Sequence, residues 1–395
     1  MVGDDGRARS LLEGPGGGWG LFITWMMALV GVFSAWATYE QIFIGLTYLT
    51  IPALMAGVIL VLSFLSGSLS VRFAVADGCV ILIYSIAFFS FSWALHQKAW
   101  AAHIYWQTIC MLVYFSCRYL VTTATRMRLV GFGVLCGAGI AGLLVTEQVS
   151  DFGEVIDRQS ISGLNSNFTS YVLIGSLYLY VVMRKVGVYP RWVKLLTIPL
   201  FLFFGMKLHV LGTRGAVFGF YGVLAWMFLG RFMTRRLLIS MVGAALFIVF
   251  FVSFGFVDIV LVQLDALFGR STGDLTGRLP LWSIAREFIS NDILLGIGAG
   301  SFAGVNPRGI GAHNVFLTFF LDVGLIGLML FLFFLLNLIF PALKAKAMPD
   351  CAYIVGGFIV FWLPISISGH WELAPFSWLL LGLVYNMLRL ENSHV

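Results

Sequence analysis

Apolar stretches of the length a helix needs to cross a bilayer, about 20 residues, alternate along this chain with short polar segments. Twelve stretches predict twelve membrane helices, at 20–38, 43–64, 74–95, 100–120, 129–146, 168–183, 194–210, 215–230, 237–257, 314–340, 351–368 and 373–389. The sixth to eighth are short. The expected organisation is a cytoplasmic tail over 1–19, nine helices over 20–257, a long loop over 258–313, three helices over 314–389 and a second tail over 390–395. Residues 1–19 are polar and Gly-rich, and the apolar run after them is long enough to span. It therefore reads as a retained first helix, with no cleavable signal peptide expected.

Composition agrees with the pattern. Of 395 residues, 60% are hydrophobic and 11% charged, against roughly 25% charged in a soluble domain. A soluble fold has too little polar surface to cover this apolar content, so lipid is the expected solvent. The 37 Phe and 12 Trp suit lipid-facing helices anchored at interfaces. The five cysteines, Cys79, Cys110, Cys117, Cys136 and Cys351, lie in or beside apolar stretches without a CxxC pair, and read as small apolar residues rather than a disulfide or zinc framework. The fold class expected is an all-α integral membrane protein of about 12 transmembrane helices, with a long periplasmic loop carrying a short amphipathic helix.

The formal charge of +6 matters through its distribution. With the N-terminus inside, 16 of the 24 Lys and Arg fall on inner segments and the other 8 on outer ones. That bias predicts both termini in the cytoplasm. Two outer segments are long, 147–167 and 258–313, and long connections are usually functional. In the second, Leu279 to Ser290 predicts a short helix. Leu281, Ala285 and Phe288 share one of its faces and Arg278, Trp282 and Arg286 another. Such a helix is expected to lie along the membrane surface or to cap a cavity.

Basic groups on the outer side run against the bias, so each needs a reason. Arg214 sits among small residues in Gly212-Thr213-Arg214-Gly215-Ala216. Its planar fork suits phosphate oxygens, the alternative being a pair with a carboxylate or with lipid headgroups. Arg278 precedes Pro280 at a predicted helix start, where the N-terminus favours an anion. His313, in Ala312-His313-Asn314, has an imidazole able to accept a proton near neutral pH or to hold a phosphate. Asp322 falls nine residues into the tenth span, about 13 Å along the helix, and is expected to be neutral or paired with an arginine. His103, His209 and His370 read as interfacial. The carboxylates of 151–157 read as a solvated acidic loop. No P-loop, dinucleotide fingerprint or serine-nucleophile elbow occurs, and nothing points to nucleic acid.

Several of these segments together resemble the O-antigen ligase and polymerase superfamily, which shares the ligase-related membrane domain. The resemblance runs through Gly277-Arg278 and Trp282, Leu295-Gly296-Ile297-Gly298-Ala299-Gly300-Ser301-Phe302, Ala312-His313-Asn314 and Asp322-Val323-Gly324-Leu325-Ile326-Gly327. Upstream, Ser162-Gly163-Leu164-Asn165-Ser166-Asn167 resembles an Asn-rich entry to a span, and Thr213-Arg214-Gly215-Ala216 a Ser-Arg-Gly element with Thr for Ser. Asp322 stands where that family often has Glu.

The resemblance implies a glycosyltransferase of the bacterial inner membrane, its active site facing the periplasm. The donor is an undecaprenyl-pyrophosphate-linked glycan, the acceptor is lipid A–core, and no metal or other cofactor is used. His313, Arg214 and Arg278 become the catalytic candidates. Arg214, Arg278, Arg158, Asn167, Trp282 and Asn314 become the substrate-binding candidates. A polymerase of the same superfamily, joining one lipid-linked glycan to another, is the nearest alternative. A multi-pass glycolipid transporter or flippase is the alternative from another class, although no paired halves are detected in the chain.

Overall fold

The computed structural model describes residues 17–36, 41–43, 46–47, 50–66, 73–145, 166–211, 213–253, 278–344, 348–366, 369 and 371–393. Fourteen α-helices are described: α1 Gly17–Trp36, α2 Thr50–Leu65, α3 Val75–Phe89, α4 Gln97–Leu120, α5 Ala124–Leu144, α6 Ser166–Lys185, α7 Thr197–Leu211, α8 Arg214–Leu229, α9 Arg235–Ser253, α10 Arg278–Asn291, α11 Ser301–Val305, α12 Val315–Lys344, α13 Met348–Ser366 and α14 Pro375–Ser393. A small antiparallel pair, β1 Gln41–Phe43 and β2 Leu46–Thr47, falls in a stretch read as apolar helix; α2 begins only at Thr50. Each of the twelve stretches carries a helix. Six segments, at 75–92, 124–144, 191–211, 215–232, 315–344 and 349–366, are long and apolar enough to cross a membrane by length and composition.

The helix ends follow from local chemistry. Asp77 starts α3 by accepting the Ala74 N–H at 2.8 Å. His96 starts α4 through Nδ1, which accepts the Ala99 N–H at 3.1 Å, and Thr123 starts α5 in the same way with Arg126. Each satisfies a donor that the first turn leaves unpaired. α1 and α5 run side by side in the same direction. A Cβ at Gly133 would strike the Ala28 carbonyl, and one at Gly137 the Val32 carbonyl. The four-residue spacing of these glycines lets two backbones meet closely, as membrane helices do where apolar burial supplies no force.

Lipid-type exposure marks the outside: Leu65, Phe218 and Leu195 are 73%, 73% and 80% exposed. The inside is polar in places. α6 is buried from Phe168 to Met183, Thr169, Ser170 and Ser176 included, and packs on α5, α7, α8 and α13. Four of the five cysteines are buried and all are free; Cys136 is exposed.

α12 departs from the expected continuous span. Val323 (φ −133°) and Gly324 (φ 69°, ψ −167°) break it one residue after Asp322. The segment Ile293–Ser301 lies against the break and exchanges backbone bonds with it. The Ile297 N–H donates to the Leu321 carbonyl at 2.7 Å, and the Leu325 N–H donates to the Ile293 carbonyl at 2.8 Å. A Cβ on Gly324 would collide with the Leu294 carbonyl, and one on Gly296 (φ 68°) with the Leu321 carbonyl. The latter half of the long loop is thus packed structure. Its first half, 254–277, and the acidic loop at 151–157 lie outside the described residues.

Gly324→Ala and Gly296→Ala each combine a left-handed backbone with a backbone collision, so each is expected to cost about 2–5 kcal/mol. Gly78→Ala, helical with open space around its Cβ position, is expected to stabilise by up to about 1 kcal/mol. Thermal unfolding of the three variants in detergent checks the contrast. An unchanged midpoint for Gly324→Ala refutes the interlock.

Candidate functional site

One end of the bundle gathers most of the residues singled out in the sequence. α12 begins there because Asn314, fully buried, caps it: Oδ1 accepts the N–H groups of Phe316 and Leu317 at 3.1 and 3.2 Å. Its Nδ2 is buried without a hydrogen-bond partner among the described residues. Immediately upstream, the Trp282 indole donates to the Ala312 carbonyl at 2.8 Å. His313 sits between this clamp and this cap, half-buried, with φ 53°. Among the described residues it alone, outside glycine, has a positive φ. Histidine tolerates the left-handed region better than most side chains, yet strain of this kind persists only where the surroundings enforce it, and it clusters at working sites.

Trp282 falls on a different face of α10 from the one expected. It is 5% exposed and packs with Leu281, Ala285, Ile297, Phe302, Ala312 and Leu317. The apolar stripe of α10 is wide enough to take in its neighbour in sequence. Its indole is committed to holding the His313 segment, which gives it a positioning role. α10 packs against the start of α12.

Arg214 and Arg278 are each the first residue of a helix, α8 and α10; of their side chains nothing further is described. The start of α8 is pinned to the start of α6. Thr213 Oγ1 donates to Asn167 Oδ1 at 3.2 Å and accepts from Ser170 Oγ at 3.0 Å. Asn167 is therefore engaged, through its carbonyl oxygen, in placing the Arg214 backbone. Trp371, beside the start of α14, joins this end, with its ring 4.3 Å from Tyr171 and 6.3 Å from Phe168, both of α6. Arg158 lies outside the described residues.

Below His313 is a cavity of about 250 Å³, bordered by His103, Trp106, Phe302, Ala312, Asp322 and Glu372. Asp322, 4% exposed, accepts the Gly300 N–H at 2.9 Å and lies 3.5 Å from His103 Nε2. Among the described residues its partners are this backbone amide and a histidine, in place of the expected arginine. His103 is buried, at 7% exposure. His209 bonds locally to the Gly205 carbonyl and the Tyr221 hydroxyl, and His370 lies outside the described residues. Glu372, 5% exposed, escaped the sequence reading. Its signal was an acidic residue in the short connection between the last two spans. A buried carboxylate is costly unless it is paired or hydrogen-bonded, so the place of Glu372 on the cavity makes it a candidate. No group of three or more His, Cys, Asp or Glu among the described residues is arranged to hold a metal ion.

No protein-family model matches the chain, and no curated protein matches it. The functional reading therefore rests on the residues and their geometry.

Trp282→Phe keeps the ring packing and removes one donor to a buried carbonyl, a loss of about 1–3 kcal/mol. Backbone hydrogen exchange at Ala312–Asn314 is expected to quicken about tenfold or more. Asp322→Asn keeps an acceptor for the Gly300 amide and is expected to be mild, whereas Asp322→Leu leaves that amide unpaired and is expected to cost about 1–3 kcal/mol in thermal unfolding.

Proposed function

We propose that this chain is a membrane glycosyltransferase that moves a glycan from undecaprenyl pyrophosphate onto lipid A–core at the periplasmic face of the bacterial inner membrane, without a metal. Twelve crossings with both termini in the cytoplasm belong to the same proposal. Alternating up and down, they put the starts of α4, α6, α8 and α12, four of the six even-numbered crossings, on the outer side. The hydrogen bonds and ring contacts at this end of the bundle support that grouping.

One observation carries the reading: His313 is held in a left-handed backbone, between the Trp282 clamp and the Asn314 cap, at the end where α8 and α10 begin with Arg214 and Arg278. Helix N-termini favour anions through their free N–H groups and dipole, and an arginine at each adds a full charge. Two such ends suit a pyrophosphate. In the proposed step the acceptor hydroxyl oxygen attacks the anomeric carbon while the bond from that carbon to the pyrophosphate oxygen breaks. The electron pair leaves with undecaprenyl pyrophosphate, whose growing charge Arg214 and Arg278 stabilise. The hydroxyl proton passes to the His313 imidazole, and attack opposite the leaving group inverts the anomeric centre.

Purified protein given lipid-linked glycan and lipid A–core tests the assignment. His313→Ala is expected to lower transfer by about 10²–10⁴. Arg214→Ala and Arg278→Ala are each expected to lower it by about 10²–10³. Full transfer by all three folded variants overturns the site. Lengthening of the glycan in place of capped core identifies a polymerase, and glycan uptake into proteoliposomes without covalent change a transporter. In chelator, activity is expected to persist; a complete loss that Mg²⁺ or Mn²⁺ restores overturns metal independence.

A further inference from the structure

The opposite end of the bundle holds a second group of buried charges. On α4, Arg118 follows His103 by about 22 Å along the helix axis, so the two groups lie at different depths. Asp77 at the start of α3 is fully buried and Arg118 is 2% exposed. Asp77 is saturated by three close donors: the Tyr119 hydroxyl at 2.7 Å, the Ala74 N–H at 2.8 Å and the Tyr114 hydroxyl at 3.1 Å. Arg118 is held less closely. Its Nε lies 3.7 Å from Asp77 Oδ1 and, among the described residues, has no hydrogen-bond acceptor. Its Nη1 reaches Asn386 Oδ1 only at 3.4 Å. The guanidinium stacks on the Tyr385 ring, 3.8 Å from its centroid, an arrangement that orients its plane. Asn386 is itself fixed, donating to the carbonyls of Cys117 and Val121 at 2.9 and 3.0 Å.

Arg118 borders a cavity of about 390 Å³ together with exposed Arg389 and half-buried Tyr385. The space is many times what one water needs. Two arginines face it, with one carboxylate behind the first, so its balance is cationic. The remaining border includes Leu338, Pro341 and Leu388, which is apolar. A cationic rim beside an apolar wall, where α4, α12 and α14 end, matches a phosphate ester carrying an acyl chain.

We infer that this cavity binds a phosphate group, in the fork of Arg118 and the charge of Arg389, at the end of the bundle opposite the candidate site. Arg118 is pre-positioned by stacking and by Asn386, so little side-chain freedom is lost on binding. Two sources supply the same chemistry: the headgroup of an anionic phospholipid, favoured by the apolar wall, and a free phosphate from solution.

The full chain, purified in uncharged detergent, is titrated with short-chain phosphatidylglycerol, with short-chain phosphatidylcholine and with inorganic phosphate, and binding is followed by native mass spectrometry. Phosphatidylglycerol is expected to bind, with about tenfold lower affinity for Arg389→Gln, as loss of a charge-assisted contact implies. Arg389→Gln changes an exposed residue, so the folded state is retained. Arg118→Lys keeps the charge facing Asp77 and removes the fork; it is expected to weaken binding by a similar factor. Preference for phosphatidylglycerol over phosphatidylcholine identifies a lipid source, and binding of inorganic phosphate with the same sensitivity to both variants a soluble one. Absence of binding, or equal affinity for the wild type and both variants, overturns the site.

Discussion

The structure turns on the exchange of backbone hydrogen bonds between the broken tenth apolar stretch and the irregular segment laid against it. Away from water, each unpaired peptide group costs several kcal/mol, so non-helical backbone survives there only when protein satisfies it. Here each irregularity supplies the other's partners. The broken α12 leaves the Leu321 carbonyl and the Leu325 amide unpaired within the helix; Ile297 and Ile293 take them up. Further groups of the segment are met from the connection between α3 and α4. Ser90 Oγ accepts the Ala299 N–H at 3.0 Å, Leu95 donates to the Ile297 carbonyl at 3.2 Å, and Ser301 Oγ accepts the His96 N–H at 3.3 Å. The glycines at 296, 298, 300 and 324 all have positive φ, and a side chain at any of them would meet neighbouring atoms.

From this interlock the polar geometry follows. The break puts Asp322 at the end of a half-helix, where the Gly300 amide and His103 reach it. The docked segment carries Phe302 into the cluster that buries Trp282, and Trp282 in turn holds the turn into α12. A reacting geometry set by backbone bonds and packed rings needs little reorganisation when charge moves, and such preorganisation gives fixed dipoles their catalytic weight. The chain thus pairs a rigid cradle with residues, His313 above all, whose own backbone is strained within it.

Sequence reading reached what is periodic and local. The apolar stretches and the helix expected over Leu279–Ser290, observed as Arg278–Asn291, were legible because helix signals act within a few residues. Three features were not. The break after Asp322 leaves the apolar pattern intact, since Val323 and Gly324 suit a lipid helix as well as a kink. The face of Trp282 is decided by Ala312, thirty residues on in the chain. His103 and Glu372 acquire meaning only from a cavity that brings together α4, α12 and the segment before α14, a convergence no local spacing records.

The same distinction bears on how many helices cross the membrane. Length and apolarity select six segments, and α4, α6 and α14 are not among them. They are also helices whose polar side chains face protein: α6 is buried on all sides, α4 holds Arg118 and His103 inside, and α14 buries Asn386. A helix surrounded by other helices meets no lipid, so nothing requires it to be apolar around its whole circumference. An apolarity criterion therefore passes over polar helices packed inside the bundle, such as α4, α6 and α14, while it still counts the buried but apolar α13. That is the physical argument for the larger number of crossings proposed above.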